Sequence, residues 1–205
     1  MESKPCIIEF QAFRGNNDRF IIKELVILDL LTQIANSFLF EAPCSVRELT
    51  TKAKITNRWI TNHFHHINWY EGFIPYNNVH KIMFHFCKQF THIYTRGSEK
   101  KNWIQQYTNK EVLDIKLDKT FKFDFKEICV STIDPRHKQS QCALQNAYHL
   151  AAYLQQQQTE ECDGGSGGYK SEGATHPEYH FYSTLQTDNI SSDNDGITTV
   201  SPIVS

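Results

Sequence analysis

The chain has 205 residues with a formal net charge of −2, and 40% of it is hydrophobic, including 14 Phe and 9 Tyr. That suffices for one domain of about 100 to 200 residues with a ring-rich core, and the near-neutral balance excludes the strong overall positive field by which non-specific nucleic-acid binders displace counterions from phosphate. The start shows no basic stretch followed by an apolar run, and no segment approaches the roughly 18 apolar residues of a membrane span, so a cytoplasmic or nuclear protein without a membrane partner is expected.

In chain order, residues 6–13 form an apolar run with Glu9 and Gln11 on one face. Arg14-Gly-Asn-Asn-Asp18 supplies turn residues before a second apolar run at 20–31, a pattern that predicts a β-hairpin. Residues 45–66 mix helical spacing with polar side chains, and residues 79–90 place Val79, Ile82, Met83, Phe86 and Phe90 at helix period, so two helices are expected. Between them, Trp69-Tyr-Glu-Gly72 reads as a turn with a large ring packed beside it. Residues 91–95 are a short β-rich run ended by Gly97. Residues 99–107 then look helical with Trp103 and Ile104 inward, and 112–117 are a further strand candidate. Residues 142–154 close the domain as an amphipathic helix whose buried stripe is Ala143, Leu144, Ala147, Leu150, Ala151 and Leu154. From Gln155 the composition shifts to a glutamine run, a Gly-Gly-Ser-Gly-Gly stretch and a Ser/Thr/Asp/Asn-rich end, with few apolar groups to offset ordering entropy. The domain is accordingly placed at 5–155 and a disordered polar tail at 156–205. Hairpin, helices, strand, helix, strand and final helix together predict an α/β fold with a mixed sheet flanked by helices, the layout of the ribonuclease H-like superfamily.

Six cysteines are scattered without a CxxC pair, which favours buried thiols or metal ligands over disulfides in a reducing compartment. The ten histidines are spread too evenly to form a cluster, and loop or helix-surface positions account for most of them. Arg96, Lys100, Lys101 and Lys110, with Trp103 and Tyr107 between them, could offer charge to phosphates and rings to bases of single-stranded RNA or DNA. The plainer reading is a solvated charged face with Trp103 in the core.

The segment Gln141-Cys-Ala-Leu-Gln-Asn-Ala147 resembles the third motif of the DEDDh 3'-to-5' exonucleases, His-x-Ala-x-x-Asp-Ala, with Gln141 in place of the histidine and Asn146 in place of the aspartate. The first-strand Asp-x-Glu of that family falls on Glu9 and Gln11, and its second-motif aspartate on Lys100. An amide neither takes up a proton at neutral pH nor supplies the negative charge that Mg²⁺ requires, and two-metal catalysis needs several carboxylates around ions about 3.5 to 4 Å apart. The resemblance therefore implies a catalytically degenerate domain. The phrases at 20–28, 65–76, 93–104 and 142–147 are similar to those of a family of uncharacterised, transposon-associated arthropod proteins carrying such a domain.

Cys129, His137 and Cys142 form a C-x7-H-x4-C series. Set beside Glu9, the series resembles the Glu, Cys, His, Cys zinc set of the Maelstrom domain, which implies a structural zinc fastening the last helix to the sheet. The bland alternative is two buried thiols and a surface histidine. The functional expectation is a non-catalytic exonuclease-like domain acting as an interaction module for nucleic acid or a protein partner, with a mobile-element origin implied by the resemblance. The alternatives are a residual or metal-independent ribonuclease using Glu9 and a histidine, and a scaffold presenting the tail.

Overall fold

The computed structural model describes residues 4–118, 120–121 and 142–163. Five strands form one sheet in the order β3-β2-β1-β4-β5. Strand β1 (Pro5–Arg14) lies at the centre, antiparallel to β2 (Phe20–Asp29), which in turn pairs antiparallel with β3 (Ala35–Leu39). On its other side β1 pairs in parallel with β4 (His92–Thr95), and β4 in parallel with β5 (Val112–Asp114). This is the expected mixed sheet flanked by helices, and its strand order and directions are compatible with a ribonuclease H-like arrangement.

The alternation of β1 explains the layering. Cys6, Ile8 and Phe10 point to one face, where they meet Ile22, Leu25 and Ile27 of β2. That face is covered by α2 (Asn78–Gln89) through Val79, Ile82, Met83 and Phe86, and by Ile104 of α3 (Ser98–Ile104) with Tyr107 beyond it. Trp103 is half-buried and packs edge-on against Phe10 at 5.0 Å, so its inward register holds. The opposite face carries Ile7, Val26 and Leu28, and α4 (Ala143–Asp163) lays Ala143, Ala147, Leu150 and Ala151 across it. Three alanines in that stripe let the helix backbone approach the sheet closely.

Two features depart from the sequence expectation. Helix α4 runs to Asp163, eight residues past the expected domain edge at Gln155. Glutamine and glutamate are good helix formers, so the polar run extends a helix already nucleated on the sheet. Residues 164–205 of the expected tail lie outside the described residues. The third strand, β3, was absent from the predicted order: five residues with only Phe38 fully buried give too short a periodic signal.

The helical region at 45–66 resolves into a short 3-10 helix at Val46–Glu48, α1 (Thr51–Ile60) and one π-helical turn at Thr61–His65. Ser45 and Glu48 form a capping box, and Thr50 caps α1 by accepting from the Ala53 N–H at 3.3 Å. Helix α1 is hydrogen-bonded to the end of β1 by Asn57, which accepts the Arg14 N–H at 2.8 Å and donates to the Arg14 carbonyl at 2.9 Å, like one rung of an added strand. Ala53 beside it joins Phe13, Leu49 and Trp69 in a small cluster at the end of β1. Trp69 packs as expected, with its indole N–H on the Cys44 carbonyl at 3.0 Å.

Candidate functional site

Glu9 and Gln11 follow Ile7 along β1 at two-residue spacing, so both stand on the face beneath α4. Glu9 is only 1% exposed, which would be prohibitive for an uncompensated carboxylate. Its compensation is complete. Oε1 accepts from the Thr95 hydroxyl at 3.1 Å and the Arg96 backbone N–H at 2.9 Å, and Oε2 is held by the ammonium of Lys100. Thr95 and Arg96 end the parallel strand beside β1, and Gly97 at φ +102 turns the chain into α3, whose first turn delivers Lys100. Lys100 also lies over the Phe10 ring at 5.1 Å.

The structure thus brings together two of the five degenerate positions, Glu9 and Lys100, as an ion pair. Electrostatically, one fixed positive charge answers one buried carboxylate. Gln11 is buried and in register with Glu24 of β2. Asn146 is half-buried on α4, one turn into the helix. Gln141 lies outside the described residues.

Glu24 was not singled out from the sequence, where it sits inside the apolar phrase Phe20-Ile-Ile-Lys-Glu-Leu. Its Oε2 accepts the Ala143 N–H at 2.9 Å, placing a carboxylate at the N-terminus of α4, where donors and the helix dipole both favour negative charge. The carboxylate is engaged in fastening the helix. The adjacent Lys23 was missed too. Gln11 pairs with Glu24 and Ala12 with Ile22, which leaves Lys23 as the extra residue of a β-bulge. Its fully buried ammonium donates to the carbonyls of Phe40 at 2.6 Å, Trp69 at 2.9 Å and Glu71. Burial, the largest influence, pushes its pKa down to about 8. A Lys-Glu pair interrupting a continuous apolar strand is the signal that could have found both residues.

Of the four residues expected to contact nucleic acid, two are engaged internally. Lys100 neutralises Glu9. Lys110 donates to the carbonyls of Cys87 at 3.0 Å, Lys88 at 3.2 Å and Phe90, capping the C-terminus of α2. Arg96 is exposed and Lys101 half-buried, both close to the end of β4. On α4, His149 stacks on Phe121 with ring centroids 5.1 Å apart. Its pKa is lowered, first by burial and then by the nearby Arg96 charge, both of which favour the neutral imidazole.

The residues implied for zinc fit it poorly at Glu9. Both carboxylate oxygens already have partners, and a lysine ammonium occupies the approach a cation would use. Cys142 is buried with its sulfur accepting the Gln145 N–H at 3.3 Å, while Cys129 and His137 lie outside the described residues. Among the described residues, no group of three or more His, Cys, Asp or Glu side chains is placed to hold a metal ion. Among the described residues, Cys6, Cys87 and Cys142 are buried and Cys44 is half-buried, and none of the four is in a disulfide.

Among the described residues no helix is long and apolar enough to cross a membrane. No protein-family model matches the chain, and comparison with curated proteins gives no match.

Proposed function

We propose that this protein is a non-catalytic, exonuclease-like interaction module that binds single-stranded nucleic acid without cleaving it. The observation that carries the reading is the Glu9–Lys100 pair. The one acid retained at the expected metal-ligand positions is neutralised from within, so the pocket that would gather divalent ions is filled by a side chain. Beside it, Arg96 and Lys101 leave positive charge at the carboxyl end of parallel strands, where open α/β sheets bind their ligands. A near-neutral chain needs such local charge to meet phosphate.

The alternative of a residual, metal-independent ribonuclease would draw on Glu9 and His149. A neutral imidazole supports a base role, but a buried carboxylate that already accepts from a hydroxyl, a backbone N–H and an ammonium is a poor partner for it. For zinc, the proposal reduces to Cys129, His137 and Cys142 without Glu9, a structural site tying α4 to the segment before it. Elemental analysis of wild type and Cys142→Ser tests it: zinc in the first and loss in the second are expected, and zinc-free fresh wild-type protein ends the idea.

The function is tested by incubating the purified chain with labelled single-stranded RNA and DNA in Mg²⁺, Mn²⁺ or chelator. Retarded, full-length strands whose retention falls with salt are expected. Shortened products that disappear in Glu9→Gln would replace the module with an enzyme.

A further inference from the structure

Helix α1 presents a face that the fold does not use. It buries only Ala53 and Asn57, and Asn57 is spent on the Arg14 backbone. On the far side Lys54, Ile55, Arg58, Trp59, Asn62 and His63 line a shallow groove. Trp59 is 58% exposed, unlike Trp69, which is buried in the core. The Trp59 ring lies 5.6 Å from that of His63, one turn further along, so two aromatic systems share the outer face.

The charge carried by α1 itself is one-sided. Residues 49–70 contain no Asp or Glu while supplying Lys52, Lys54 and Arg58. Lys52 is paired with Asp18 at 2.8 Å. Lys54 donates to the Arg47 carbonyl at 3.0 Å, which satisfies a hydrogen bond, and no ion pair engages it among the described residues. No hydrogen bond or ion pair engages the Arg58 side chain among the described residues.

An exposed indole and imidazole flanked by cations combine a π-surface for a base with charge for the phosphates on either side of it. A second copy of the chain fits less well, because an isologous contact would set Arg58 and Lys54 against their own like charges. A membrane surface fits less well too, since Ile55 and Trp59 alone give a helix of this length little apolar area to insert.

We infer that the outer face of α1 is the seat of the single-stranded nucleic acid, with a base stacked on Trp59 and neighbouring phosphates on Arg58 and Lys54. The inference rests on the module reading and gives it a location apart from the Glu9 pocket. All three side chains are exposed and can be changed without touching the core.

The experiment is fluorescence anisotropy of the full chain with labelled oligouridine and oligothymidine, at about 50 and about 200 mM salt. Trp59→Ala should weaken binding about tenfold and Trp59→Phe should retain most of it, because either ring offers a stacking face. Arg58→Ala and Lys54→Ala should each weaken binding and flatten its salt dependence. Unchanged affinity in Trp59→Ala, with binding lost instead in Arg96→Ala or Lys101→Ala, overturns the location while sparing the module. Absence of wild-type binding to both oligomers overturns both. Concentration-dependent dimerisation that Trp59→Ala abolishes, without any effect on oligonucleotide affinity, assigns the face to a second copy and overturns the inference.

Discussion

The ammonium of Lys100, delivered by the first turn of α3, rests on Oε2 of Glu9 in the central strand, closing a buried carboxylate with the opposite charge. Removing the acid should therefore hurt more than removing the pair. Glu9→Gln leaves a half-buried ammonium without its counter-charge and should cost about 1–3 kcal/mol. That is less than for a fully buried pair, because the Lys100 side chain keeps 22% exposure and can turn toward water. Glu9→Gln combined with Lys100→Met should recover part of the loss. Urea unfolding of the wild type and the two variants measures this, and equal stability of wild type and Glu9→Gln would contradict it.

His65 makes stability depend on acid. The ring is buried against Phe13 at 4.9 Å, and its Nδ1 accepts the Ile67 N–H at 3.0 Å, so the neutral form fits the site. Burial first, and the neighbouring His66 second, push its pKa down from 6.5 to about 4. The unfolded chain takes up this proton near pH 6.5 and the folded chain only near 4. Stability is thus fully present above pH 6.5 and falls as pH drops toward 4, by about 3 kcal/mol at roughly 1.4 kcal/mol per unit. Denaturation midpoints across this window should slope downward in the wild type and flatten in His65→Gln.

Two glycines with positive φ should respond differently to alanine. A Cβ on Gly72, at φ +140, would lie 2.1 Å from the Phe40 carbonyl oxygen, whereas one on Gly97, at φ +102, meets nothing within 4 Å. Gly97→Ala carries backbone strain alone, about 1–2 kcal/mol. Gly72→Ala adds a backbone collision and should cost more than about 3 kcal/mol. Thermal melts order the two, and a Gly72→Ala variant as stable as Gly97→Ala would show that this loop can move away from β3.

The same loop is held from below by Lys23. Lys23→Met fills similar volume but leaves the carbonyls of Phe40, Trp69 and Glu71 without their shared donor, so a loss of about 3 kcal/mol is expected. Amide exchange at residues 66–74 should accelerate in that variant. Unchanged exchange would mean that the loop is fixed by Gly72 and Trp69 alone.

The sheet was legible wherever side-chain period was long enough to read. The apolar runs around Ile8 and Val26 gave the hairpin, Val79 to Phe86 gave α2, and the alanine-leucine stripe of α4 marked the second covered face. Short β3 carried too few residues for a period. The reach of α4 was missed because composition, the cue for a tail, says little about a glutamine run that continues a packed helix. At the site, the position of Lys100 was readable, but its destination was not: pairing with Glu9 depends on how the turn at Gly97 aims α3. Lys110 shows the same limit. A lysine among aromatics in sequence turned out to cap a helix, because which carbonyls it meets is decided by residues twenty or more positions away.

The most direct test of the central claim is Mn²⁺ binding to the metal-free wild-type chain, followed by electron paramagnetic resonance beside Glu9→Gln and Lys100→Ala. With the ammonium holding the carboxylate, no saturable Mn²⁺ binding is predicted in the wild type. Stoichiometric uptake of two ions per chain that vanishes in Glu9→Gln would contradict the account, since a working two-metal site would then stand where an ion pair is described.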